Sequence, residues 1–273
     1  MSNNNSILLI DPNFEPANAT NCSLLVKIGT DSFSYAIIDK ERNKVIAVYD
    51  EQECDDVVKK LNEKLKTDNY LGLTYQEVKI AAQTANLLSI PDELFSEEVL
   101  EANTQYFADS HDGNVHVKVQ QAYNFSSVFA FPKRMSDIFE NFTDAKIFHE
   151  SAGVLNLATN FNVATLLLDF SVGSFNALFV NDGKLIFQQS YEIEDADEFN
   201  YYLLLIKNQL KLEDTLDVKL MGIIHQDDAK HKVLKKYFSS LIMLISQGDL
   251  NTEVLEDMPA HYYTTLLALN ECV

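Results

Sequence analysis

The residues with the clearest chemical content lie at 164–178, ATLLLDFSVGSFNAL. An apolar run ends in Asp169, passes through the turn Ser171-Val172-Gly173-Ser174, and leaves as a second apolar run. A strand-end carboxylate followed by small residues suits phosphate, because backbone N–H groups can approach an oxyanion where no side chain intervenes. A weaker copy stands at 23–38, SLLVKIGTDSFSYAII, with Lys27 at the strand end and Gly29 and Thr30 in the turn. His111 and His116, near Asp109 and Asp112, are the other constellation to weigh. Their spacing fits no common metal site, so an exposed turn is expected there.

Two such turns need two similar scaffolds, and the chain supplies them. Strand patterns at 22–28, 33–39 and 44–49 form an antiparallel meander. An amphipathic helix follows at 51–66, with Val57, Val58, Leu61 and Leu65 on one face. A strand at 76–83, an acidic helix opened by Pro91, an alternating strand at 115–119 and a buried strand at 127–131 come next. A helix at 134–142, a strand at 145–148 and a helix at 150–160 complete the first half. The order then restarts: strands at 164–170, 175–180 and 185–191, a helix at 195–210, a strand at 217–224, a helix at 227–238, a strand at 241–246 and a helix at 259–270. The turn Asn181-Asp182-Gly183 is a strong hairpin signal in this second meander. The predicted organisation is α/β: a polar arm at 1–21, one domain at 22–160 with a strand or hairpin inserted near 105–123, and a second domain at 161–273. Each domain is expected to hold a five-stranded mixed sheet with flanking helices, since parallel strands need crossover connections.

The totals exclude several function classes. A formal net charge of -20 over 273 residues repels phosphate backbones, so no nucleic-acid partner is expected. No run approaches the roughly 20 apolar residues of a membrane span, and the start lacks a basic secretory n-region. A cytoplasmic location follows as the default expectation. Three cysteines without CxxC spacing, Cys22, Cys54 and Cys272, argue against a disulfide framework or a zinc site. The acidic run Glu192, Glu194, Asp195, Asp197 and Glu198 reads as a solvated helix start.

The duplicated order, with a small-residue turn after the first strand of each half, resembles the actin-like ATPase superfamily of sugar kinases, Hsp70 chaperones and actin, whose domains are RNase H-like. Within that group it is similar to an uncharacterised bacterial family with this fold. The resemblance implies two facing hairpins with ATP and Mg²⁺ between them. In that alignment Asp169, Gly173 and Ser174 fit the second phosphate turn, while Ser171 and Val172 replace glycines. Gly29 and Thr30 fit the first turn, and Lys27 stands where the family has a metal-facing aspartate. Glu150 would be the base that orients water, the small residues after it would let two helices cross, and Gly222 would be what remains of the adenosine-binding glycines.

Only 8 glycines occur in the chain, well under the roughly 7% of ordinary proteins. The resemblance thus implies a degenerate nucleotide site, with Lys27 replacing the ion and pairing with Asp169, and with no cofactor expected. The expected function is that of a non-catalytic binding or scaffold protein with a protein partner still to be identified. The alternative is an ATP-binding protein with weak or regulated ATPase or kinase activity, using Asp169, Glu150 and Thr30.

Overall fold

The computed structural model describes residues 5–108, 115–245 and 249–273. The chain divides into two compact units, Met1–Ala152 with Asp249–Val254, and Gly153–Gly248 with Leu255–Val273.

In the first unit, β1 (Ser6–Ile10) precedes the meander β2 (Cys22–Ile28), β3 (Phe33–Asp39) and β4 (Lys44–Glu51). Helix α1 (Val57–Thr67) starts where the Asp56 carboxylate accepts from the Lys59 amide, a cap worth about 1 kcal/mol. It packs Val57 and Leu61 onto the sheet face built from Leu24, Val26, Phe33, Tyr35 and Ile80. After β5 (Glu77–Ala82) the chain makes β6 (Leu87–Pro91), α2 (Glu97–Thr104), β7 (Val115–Gln120) and β8 (Phe125–Ala130). It then returns through α3 (Lys133–Phe139) to β9 (Lys146–His149). The main sheet runs β1-β4-β3-β2-β5-β9, with β2-β5 and β5-β9 parallel and the other pairs antiparallel.

Two expectations change here. The arm is not wholly irregular: its apolar run pairs with β4 and gives the sheet a sixth strand. Pro91 opens only a single short helical turn, Asp92–Leu94, and not the acidic helix itself. It ends β6, an outer strand where its missing N–H costs no ladder bond, and α2 begins five residues later at the Ser96 cap. The insertion is correspondingly larger, a separate three-stranded sheet in the order β6-β8-β7.

Helix α4 (Ala152–Ala158) leads into the second unit. Strands β10 (Thr165–Phe170), β11 (Ser174–Asn181) and β12 (Lys184–Glu192) form its meander. Helix α5 (Ala196–Leu210) is capped by Asp195, which accepts from the Asp197 and Glu198 amides, while Glu198 reaches back to the Glu194 amide. The acidic run thus caps the start of its own helix, with Glu198 taking the amide one residue before the N-cap. Strand β13 (Asp217–Gly222), helix α6 (Ala229–Lys235) and strand β14 (Ser240–Met243) follow. The sheet runs β12-β11-β10-β13-β14, over a core of Leu166, Leu168, Phe170, Phe175, Phe199 and Leu203. The last helix, α7 (Thr264–Ala268), is shorter than expected, with Pro259 in the turn before it.

The duplication extends to detail. The Gly29 amide donates to the Ser32 carbonyl, and the Ser171 amide to that of Ser174. The Gln83 amide donates to the Ile28 carbonyl, and the Ile223 amide to that of Phe170. Each meander carries a bulge at the same place, between Ile37 and Ile38 and between Phe179 and Val180.

Candidate functional site

Each unit presents one turn of the expected pair, and each is built by its own hairpin. In the first, register places Lys27, Ser34 and Asp50 side by side on β2, β3 and β4. Successive side chains alternate in a strand, so these three share one face. Burial pushes the Asp50 carboxyl up to about 6, opposed by a hydrogen bond from Gln52 at 2.7 Å and by the positive charge of Lys27. Asp50 was not among the residues singled out in the sequence, yet its carboxylate feels the charge of Lys27.

The first turn surrounds its amides with acceptors. Asp31 Oδ1 and Gln83 Oε1 are buried and accept no hydrogen bond. A Cβ on Gly29 would lie 3.1 Å from Ser32 Oγ and 4.0 Å from Gln83 Oε1. Thr30 lies in the same turn, between Gly29 and Asp31, and is exposed. Glu150 follows β9, with its amide donating to the Ala82 carbonyl at 2.9 Å, and its side chain is buried. Its neighbours form a fixed group: Ser151 Oγ lies 2.8 Å from His149 Nδ1, and His149 Nε2 lies 3.3 Å from the Thr84 carbonyl. A carbonyl only accepts, so Nε2 carries the hydrogen and Nδ1 accepts from Ser151. Burial holds this imidazole neutral, with its pKa down to about 4.

In the second unit, Asp169 stands at the end of β10 with only 2% of its surface exposed. Thr265 of α7 donates its hydroxyl to Asp169 Oδ1 at 3.2 Å. Gly222 has φ +77°, and a Cβ there would lie 2.1 Å from the Phe170 carbonyl oxygen and 2.8 Å from Asp169 Oδ1. Packing alone therefore demands glycine at Gly222. Gly153 is equally constrained: its Cβ would lie 2.4 Å from the Thr265 carbonyl oxygen. The small residues after Glu150 do let two helices, α4 and α7, approach closely.

The second turn, holding Gly173 and Ser174, carries a lysine on its carbonyls. Lys230 of α6 donates to the carbonyl oxygens of Val172 at 2.9 Å and Ser171 at 3.3 Å, and its ammonium lies 5.8 Å from the Phe170 ring centre. Val172 is not a strained residue. Left-handed backbone among the described residues falls elsewhere, at Gly183 and Gly222 and at seven non-glycine positions outside this turn, so a branched side chain carries no backbone strain here.

Lys27, Gly29, Thr30 and Glu150 thus belong to one unit, and Asp169, Gly173, Ser174 and Gly222 to the other. Among the described residues no group of three or more His, Cys, Asp or Glu is arranged to hold a metal ion. His111 lies outside the described residues, and His116 stacks on Phe129 with ring centres 5.4 Å apart. The first turn thus holds two buried acceptors that accept no hydrogen bond, and the second a lysine across its carbonyls.

Comparison with known proteins completes this picture. The model of the family described as "Protein of unknown function (DUF3822)" matches residues 11–241. The chain belongs to this family. No curated protein matches it. Among solved structures it is similar to a Bacteroides thetaiotaomicron protein described as having an actin-like ATPase fold and unknown function. That likeness has a TM-score of 0.72 at 18% identity, over 89% of this chain and 97% of the other. It is also similar to a chain of the PilM–PilN type IV pilus biogenesis complex, with TM-score 0.62 and 10% identity over 90% and 97% of the two chains. A third likeness, TM-score 0.50 at 14% identity over 92% and 96%, is to the cytoplasmic domain of EpsL, an inner membrane component of the type II secretion system of Vibrio cholerae. The DUF3822 chain therefore has the actin-like ATPase fold, with mixed sheets of six and five strands. No helix among its described residues is long and apolar enough to cross a membrane.

Proposed function

We propose that this protein is a non-catalytic member of the actin-like ATPase fold that acts by binding a protein partner. One observation carries the reading. The carboxylate that the fold offers to a metal-bound water, Asp169, is buried, accepts from Thr265 and packs on Gly222. It serves the interior of its own unit. The Lys230 ammonium on the carbonyls of the second turn supports the same conclusion, and so does Lys27, a cation where the resemblance expects a metal-facing aspartate. The expected pairing of Lys27 with Asp169 belongs to this proposal. A similar chain is described in the PilM–PilN complex, and EpsL as a component of a secretion system, which supports partner binding on this fold.

Thermal unfolding with and without Mg-ATP tests the proposal. A ligand at a thousand times its Kd adds about 4 kcal/mol, and each kcal/mol moves Tm about 2–4 °C at this size. An unchanged Tm in millimolar Mg-ATP is expected. A rise of several degrees would favour the ATP-binding alternative.

A further inference from the structure

The two turns differ in what meets their acceptors. At the second, the Lys230 ammonium donates to the carbonyls of Val172 and Ser171 at 2.9 and 3.3 Å, so that turn carries a cation from its own chain. Lys230 is the second residue of α6, the helix that links the parallel strands β13 and β14. The first unit has the corresponding helix, α3, ahead of β9, and its second residue is again basic, Arg134. There the cation goes elsewhere. Arg134 donates to Asp56 Oδ2 at 2.9 Å, at the start of α1, and the inserted sheet separates α3 from β5 along the chain.

The acceptors of the first turn are left without donors. Asp31 Oδ1 lies in the turn and Gln83 Oε1 stands 4.0 Å from where a Cβ on Gly29 would be, and both are buried and accept no hydrogen bond. Gln52 Oε1 is a third such atom. It belongs to the segment that docks on the turn where the Cys54 amide donates to the Asp31 carbonyl at 2.6 Å, and its own NH₂ is committed to Asp50 at 2.7 Å. The surroundings are negative as well: burial, then the charges of Glu51, Asp31 and Asp50, opposed by Lys60, push the Cys54 thiol up to about 11. One carboxylate oxygen and two amide oxygens can only accept, and buried acceptors are expensive to leave unmade.

From this we infer that the first turn is a seat for a basic side chain, the ammonium or guanidinium of a partner's lysine or arginine, in the role that Lys230 fills in the second unit. Its N–H groups donate to Asp31, Gln83 and Gln52 as charge-assisted hydrogen bonds. The way in passes Thr30, which is exposed. This rests on the protein-binding reading and names the group by which the partner is recognised.

The test titrates the full ¹⁵N-labelled chain, at constant ionic strength, with the blocked tripeptides Gly-Arg-Gly, Gly-Lys-Gly and Gly-Gln-Gly, and with methylguanidinium and methylammonium chlorides. The arginine or lysine peptide is expected to shift the amides of 29–32 and the side-chain amide of Gln83 saturably in the millimolar range, and the glutamine peptide should leave them unmoved. Asp31→Asn should weaken the response about tenfold, the loss of one charged hydrogen bond. Thr30→Lys, at an exposed site, should supply the cation from the chain itself, raising Tm and removing the response while keeping the native spectrum elsewhere. Equal shifts from all three peptides, no saturable shift, or shifts confined to other elements would overturn the inference while leaving the protein-binding reading intact. A response to the free ions that neither basic peptide reproduces would also overturn it, by making a small amine the occupant. Failure of the broader reading has a different sign, a rise of Tm in Mg-ATP.

Discussion

Thr265 holds Asp169 from one side and Gly153 from the other. Its hydroxyl donates to Asp169 Oδ1 at 3.2 Å, and its carbonyl oxygen leaves no space for a Cβ on Gly153. This strand-end carboxylate is part of the packing that seats α7.

Substitutions around Thr265 should therefore read out as stability. Gly153→Ala would gain about 1 kcal/mol of helix propensity in an exposed helix. Here overpacking should outweigh it and give a net loss of about 1–2 kcal/mol in urea unfolding. Gly222→Ala combines a left-handed backbone with contacts of 2.1 and 2.8 Å and should cost more. Thr265→Val should lose about 1–3 kcal/mol by leaving a buried carboxylate short of a donor.

Asp50 should make the protein less stable at neutral pH. Its folded pKa of about 6 lies above the unfolded value of about 3.9. The folded state therefore binds the extra proton between these values, and the contribution present in acid is lost as pH rises through 6. At pH 7 the cost approaches about 3 kcal/mol. Asp50→Asn should raise Tm at pH 7 and change it little below pH 4.

His149 should act with the opposite sign. Its folded pKa of about 4 lies below the unfolded value of about 6.5, so the unfolded chain binds the proton in that window. The stability this neutral group permits is complete above about 6.5 and falls by up to about 3 kcal/mol as pH drops to 4. His149→Gln should flatten the acid limb of a Tm-against-pH curve, whatever it costs at pH 8.

Lys27 has one partner within its own unit and one proposed beyond it. Its charge lowers the pKa of Asp50, so Lys27→Met should destabilise the protein more at pH 7 than at pH 5. Double-mutant cycles separate the partners. A coupling of about 1 kcal/mol or more between Lys27→Met and Asp169→Asn supports ion replacement. A coupling confined to the Asp50→Asn cycle contradicts it.

Much of this was legible in the residues. The two meanders and their turns follow from local pattern, because strand alternation and turn residues are short-range signals, whereas the helix crossing at Gly153 was implied only by the family resemblance. The row of Lys27, Ser34 and Asp50 was not legible. Counting back from the hairpin loop sets Tyr49 opposite Ser34, and only the bulge between Ile37 and Ile38 brings Asp50 there. Thr265 and Lys230 meet the second turn through tertiary packing over long stretches of chain, which no spacing encodes. Pro91 serves both a strand end and a helix start, pairing with Phe125 and opening the short turn Asp92–Leu94, and the missed feature is the break at Phe95 before the Ser96 cap restarts the helix.

The central claim, that the two turns no longer bind nucleotide, is tested most directly at their own amides. Mg-ATP should be titrated into ¹⁵N-labelled protein while the signals of Gly29, Thr30, Gly173 and Ser174 are followed. The account predicts that none of them moves saturably up to millimolar nucleotide. Saturable shifts at both turns, reversed by EDTA, would contradict it.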